Sequence, residues 1–344
     1  MDIAMKTNKK KTNIVEKIWH DYSFVFVFFI IFAVYAMTSS SLTWSATMNI
    51  LRHSAVIGIV SLGMGLVCIV GEIDLSAGST LALVSGFSVA VFNATGGNML
   101  LTALFAIVFG AALGLVNGAL VGLVRMPSFI VTLATMLIYR SFSQYFCQHM
   151  SKELIGGGSS VYRMSSKLAG YEAMYSLGNN KLATVPIVGI LLILFTVLFV
   201  YIAEDTKFGK KIYAIGSSEK GAFMTGINVR LMKMMAFVIM GIMVGVAAYL
   251  WICMNASSDP ATTGNSYEMY AIAAVVLGGI AMSGGRGKMI GVLFGSLSYT
   301  VIDKIIIALK MDSLINNAIK GIILIVVILI QVACPEIKEK LRKK

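Results

Sequence analysis

Two carboxylates, Glu72 and Asp74, stand in the stretch CIVGEIDLSAGS between long apolar runs. A carboxylate facing lipid costs roughly 2.5–3.5 kcal/mol even on insertion scales. Charges in such a place mark a pathway, a gate, or a turn that shields them. Asp74 is followed by Leu75, Ser76 and Ala77. Its carboxylate can therefore accept backbone N–H bonds from the next helix and meet that helix's positive end. The expectation is a tight turn in which Asp74 caps a helix, with Glu72 and Asp74 at an inner gate or its scaffold. A polar element facing a dimer axis or a partner is the other reading.

Asn117, Ser128 and Thr132 are further polar groups in apolar surroundings. Each can line a pathway, although helical hydroxyls commonly bond back to their own helix. Catalysis has less support. His20, His53 and His149 are far apart, and no metal-ligand spacing or nucleophile motif is present. The run GGRGK lacks the Walker spacing, since Met289 follows Lys288, and it reads as a tight basic turn between close-packed helices. Cys68, Cys147, Cys253 and Cys334 are scattered, which signals neither disulfides nor zinc. The expectation is a non-enzyme with no cofactor and no metal.

The elements that hold these residues follow from composition. Of 344 residues, 58% are hydrophobic and 13% charged, and the mean hydropathy is +0.85. Soluble domains are nearer a quarter charged. This is a polytopic all-α membrane protein. The net charge of +12 does not point to nucleic acid, because the basic residues cluster beside apolar runs, the positive-inside pattern.

A crossing needs about 20 apolar residues. About ten transmembrane helices are expected, at 22–39, 50–70, 76–93, 100–124, 127–147, 184–203, 232–254, 268–283, 289–308 and 314–333. The chain reads as one transmembrane domain over 1–344. It has basic cytoplasmic tails at 1–21 and 334–344, an extracytoplasmic loop at 148–183 and a cytoplasmic loop at 204–231. With both termini inside, the outer segments hold only Lys152, Arg163, Lys167, Lys181, Lys304 and Lys310 of the 28 Lys and Arg residues. Arg52, Arg140 and Lys320 fall within spans. Pro127 and Pro186 sit near helix starts, and Pro335 follows the last span.

Two patterns concern helix contacts. Gly114, Gly118 and Gly122 repeat every fourth residue, a face that lets two membrane helices approach closely. In the inner loop, EKGAFMTGI predicts a short helix from Glu219 to about Thr225, capped by Ser217 or Ser218 and stopped by Gly226. Two uses stay open for it, a docking knob for a cytoplasmic partner or a helix lying on lipid headgroups.

Four motifs then carry a resemblance: GEIDLSAGS, PSFIVTLATM, FGKKIYAIGSSEKGAFMTGINV and AIAAVVLGGIAMSGGRGKMIGVLFG. In order and spacing, over roughly residues 42–333, the chain resembles the permease subunit of bacterial ATP-binding-cassette (ABC) importers of the ribose, xylose and galactoside type. The resemblance implies the bacterial cytoplasmic membrane and a path formed with a second permease copy. It also implies a cytoplasmic ABC ATPase and an extracytoplasmic sugar-binding protein. It makes the short helix the coupling element, with Ser218, Glu219, Lys220, Ala222, Gly226 and Asn228 at the ATPase. Two positions depart from the family pattern: Glu72 stands where a glycine is usual, and Tyr270 where Asp is common.

An ion-coupled secondary transporter is the competing class. It would use Glu72, Asp74, Asp303, Lys304 or Lys320 inside the membrane. Most of these sit near helix ends rather than mid-bilayer. A membrane scaffold without transport is the third class.

Overall fold

The computed structural model describes residues 14–39, 42–157 and 160–309, with positions 318–319, 321–322, 325–326 and 329 beyond them. The first 13 residues, the carboxyl tail with Cys334 and Pro335, Lys310, Lys320 and most of the expected 314–333 span lie outside the described residues.

The chain folds as helices joined by short turns. They are α1 (Ile14–Thr38), α2 (Trp44–Val70), α3 (Ala77–Ala94), α4 (Met99–Gly118, continued by a π-helical turn over Ala119–Leu123) and α5 (Ser128–His149). The segment after α5 carries α6 (Lys152–Ile155), β1 (Tyr162–Arg163), α7 (Tyr171–Asn179), β2 (Lys181–Leu182) and β3 (Val185–Pro186). Then follow α8 (Ile187–Glu204), α9 (Lys207–Ser217), α10 (Glu219–Met224), α11 (Val229–Asn255), β4 (Ser257–Ser258), α12 (Tyr267–Leu277) and α13 (Met289–Ala308). The strands form two small antiparallel pairs, β1 with β4 and β2 with β3.

Local rules account for the ends. Thr43 caps α2 by accepting from the Ala46 N–H at 3.2 Å, and Asn98 caps α4 through the Leu101 N–H at 3.0 Å. Pro127 and Pro186 immediately precede α5 and α8.

Among the described residues, six helical segments are long and apolar enough to cross a membrane: 44–70, 77–94, 99–123, 187–204, 229–255 and 289–308. All six coincide with expected spans. Tyr22–Thr38 and α12 are shorter apolar helices. The expected span at 268–283 is corrected. Its helix stops at Leu277 because Gly278 and then Gly279, at φ +82°, turn the chain. Eleven residues rise only about 16 Å, half the hydrocarbon thickness.

Helix α2 is the hub. It is apolar all round and almost wholly buried from Ser54 to Val70, the mark of a central helix. Helices α8, α11, α12 and α13 pack round it. Helix α1 lies against α13, where Phe294 stands 5.7 Å from both Phe24 and Phe28.

Candidate functional site

The polar turn begins where α2 ends. Gly71 takes φ +92° and its N–H reaches the Cys68 carbonyl, while the Glu72 N–H reaches that of Val67. This is a Schellman stop, and only a glycine takes that backbone freely. Asp74 is 3% exposed. Its Oδ1 accepts from the Ser76 N–H at 2.8 Å and the Ser76 hydroxyl at 2.6 Å. The cap expectation is corrected by one detail. Ser76 is the N-cap residue of α3 and makes no side-chain cap bond; Asp74 stands two residues further out and closes an Asx turn onto it. Burial pushes the Asp74 carboxyl above its ordinary pKa, and the bonds from Ser76 and Asn117 pull against that.

Asn117 and Ser128 meet this turn. Asn117 on α4 is buried and donates to the Ser76 hydroxyl at 2.8 Å. Ser128 at the start of α5 accepts from the Ile73 N–H at 3.4 Å. Thr132 is buried too, but its hydroxyl bonds back to the Ser128 carbonyl at 2.8 Å. Two helices distant in sequence, α4 and α5, thus converge on residues 73–76.

The glycine ladder packs α4 on α11. A Cβ on Gly118 would lie 2.6 Å from the Met234 carbonyl oxygen, and one on Gly122 would lie 2.5 Å from that of Arg230. One on Gly114 would come nearer still to that of Phe237. Real Cβ atoms do not approach backbone oxygens so closely, so these positions exclude side chains. The ladder runs into the π-helical turn, where Gly122 sits, and still faces α11.

The short inner helix forms as expected. The Ser218 hydroxyl accepts from the Gly221 N–H at 3.1 Å. At the other end Gly226, at φ +81°, donates to Phe223, and the Ile227 N–H reaches Ala222, a second Schellman motif. Ala222 is buried and fastens the helix; Lys220 is exposed. Asn228 caps α11, accepting from the Leu231 N–H at 3.1 Å. Phe223 and Met224, two apolar residues that the sequence analysis did not single out, are 67% and 74% exposed.

Lys233, one turn into α11, joins the two regions. Its Nζ lies 2.7 Å from a carboxylate oxygen of Glu72 and 2.8 Å from one of Glu219. Glu72 was expected at a gate and Glu219 at the coupling helix; the fold brings them together on one cation. They border a cleft of about 1080 Å³ that also takes in Arg125, Lys220, Phe223 and Arg230. Arg125 holds φ +67°, a left-handed backbone unusual for a side chain of that size. Nothing in the local sequence around Lys233 signals this pairing.

The cations within helices also find partners. Arg140 donates to the carbonyls of Pro260 and Thr263 at 3.0 and 2.6 Å, and Arg52 bonds the Asn179 side chain. Cys68, Cys147 and Cys253 are buried free thiols. Among the described residues no cluster of His, Cys, Asp and Glu could hold a metal ion.

Membrane-length helices around a buried polar turn, with a short helix linked to that turn by charge, define a helical membrane protein. The chain belongs to the family described as "Branched-chain amino acid transport system / permease component", whose model matches residues 46–331. Its relatives include the ribose import permease protein RbsC of Bacillus subtilis, 33% identical over 89% of this chain and 91% of that one. The ribose import permease protein RbsC of Escherichia coli K12 is 30% identical over 90% and 92%. The autoinducer 2 import system permease protein LsrC of Yersinia pseudotuberculosis is 30% identical over 80% and 74%. No solved structure matches the chain.

Proposed function

We propose that this chain is the membrane permease of an ABC importer that moves a monosaccharide such as ribose, xylose, galactose or a galactoside into a bacterial cell. The observation that carries the reading is likeness along nearly the whole chain to two permeases named for ribose. The family description names branched-chain amino acids, and the relatives' names favour the sugar over that cargo. Likeness to importer permeases gives no support to ion coupling, Glu72 is paired with Lys233, and Asp74 is held in its turn by two bonds from Ser76.

In this reading the helices cross the cytoplasmic membrane with both termini inside, which the distribution of basic residues supports. Two copies form the path. An extracytoplasmic binding protein delivers the sugar, and a cytoplasmic ATPase docks on α10. Ser218, Glu219, Lys220, Ala222, Gly226 and Asn228 shape or touch that contact. Glu72, Asp74, Asn117, Ser128 and Thr132 belong to the inner gate or its scaffold.

The cycle needs two states of the permease, open inward and open outward. Only a ligand with different affinity for the two can shift them. ATP supplies that bias through the ATPase from below, and the loaded binding protein supplies it from above. The permease itself needs no tight sugar site, since the sugar must leave quickly.

The test is affinity capture of the tagged chain from native membranes, followed by uptake of labelled ribose into vesicles. An ABC ATPase in the capture and ATP-dependent uptake are expected. Capture of the chain alone in several detergents, with uptake abolished by an ionophore and indifferent to ATP, would overturn the proposal.

A further inference from the structure

Lys233 is shared by two carboxylates that differ in burial. The side chains of Lys233 and Glu72 are 14% and 15% exposed, that of Glu219 61%. Glu72 lies on the turn that carries Asp74, and Glu219 is the first residue of α10. Lys233 belongs to α11, the helix locked to α4 by the glycine ladder. One cation therefore bridges a fixed helix, the polar turn and the short exposed helix.

We propose that Glu72, Lys233 and Glu219 form a latch that sets the two positions of α10, with Lys233–Glu72 the lasting pair and Lys233–Glu219 the contact that opens. The reason is the cost of an unpaired charge in a shielded place. When α10 moves away, Glu219 carries its charge into water, where it is readily solvated. Lys233 stays in the cleft and would be stranded without Glu72. Glu72 thus lowers the cost of releasing α10 while keeping the turn tied to α11. These are positioning residues, acting on the coupling helix and not on sugar or nucleotide.

The inference rests on the importer reading for its effect on transport but not for the latch itself, so two measurements are paired. The first needs no partner. A spin label is placed at Phe223→Cys, with Cys334→Ser removing an endogenous thiol, in the full chain in lipid nanodiscs. Lys233→Met is expected to raise label mobility clearly, because α10 loses its tether. Mobility equal to that of the Lys233 protein would overturn the latch whatever the partners are.

The second uses the captured assembly in proteoliposomes with ribose-loaded binding protein. Glu72→Gln is expected to lower stimulated ATP turnover about fivefold, a barrier increase of about 1 kcal/mol, with half-saturation by the binding protein unchanged. Glu72→Asp should stay near the original. Lys233→Glu should fall further, since it sets a third carboxylate against Glu72 and Glu219. Unchanged turnover in Glu72→Gln overturns the inference. An original assembly that shows no stimulation at all fails the importer reading instead, and the spin label then decides the latch.

Discussion

The Asn117 side-chain amide donates to the Ser76 hydroxyl at 2.8 Å, and that hydroxyl donates to Asp74 at 2.6 Å. Forty-one residues separate Asn117 from Ser76, so this chain of bonds ties α4 to the start of α3. Asn117→Leu removes the donor and takes one bond from the buried Ser76 hydroxyl, which keeps Asp74 and Thr80, at a cost of about 1 kcal/mol. Lower thermal stability in detergent and reduced uptake are expected; a melting curve and an uptake assay check it.

Asp74 yields a pH prediction with a definite sign. Burial holds the folded carboxyl above its ordinary value of 3.8. The folded state then binds the proton more tightly than the unfolded state. Stability falls as pH rises from that ordinary value through the raised folded one. Asp74→Asn keeps an oxygen to accept from Ser76 and carries no titration. Melting temperatures compared at about pH 7 and about pH 5 should show the original protein gaining on Asp74→Asn at the lower pH.

Gly118→Leu drives a side chain into the Met234 carbonyl, and Gly114→Leu into that of Phe237. Overpacking typically costs about 1–3 kcal/mol, and backbone cannot swing aside as a side chain can. Loss of folded protein from the membrane is expected for both. Gly321→Ala, where a Cβ meets nothing within 4 Å, is the control. Size-exclusion profiles in detergent separate the outcomes.

The caps of α10 should matter to coupling more than to folding. Ser218→Ala removes the bond to the Gly221 N–H, worth about 1 kcal/mol. Gly226→Val forces a β-branched residue to φ +81°, costing about 1–2 kcal/mol or more. The chain should still insert, since α10 is short and lies largely on the surface. ATP hydrolysis should continue with less sugar moved per ATP, most strongly for Gly226→Val, as paired hydrolysis and uptake assays would read.

Phe223→Asp with Met224→Asp tests the docking face. Both residues are exposed, so stability should change by no more than about 0.5 kcal/mol. Co-purification of the ATPase should be lost while the melting curve is kept.

Much of this molecule is legible from local physics. Hydropathy marks every long apolar helix, because lipid leaves backbone groups no partner but each other. The ends of α10 are readable within a residue, since Ser218 and Gly226 act on bonds three or four residues away. The glycine repeat marks the packing face of α4 for the same reason. The sequence by itself thus determined an all-α membrane protein, the short helix on its inner loop and the family of the chain. It did not determine which helix meets the ladder, that α12 stops at Gly278, or that Glu72, Glu219 and Lys233 share one site. Those depend on how elements far apart in the chain pack, and a charge 161 positions away leaves no periodicity or cap signal in the residues around Glu72. Only the tertiary structure decides which partner a buried charge finds, because that choice is set by distance in space and by the absence of water around it.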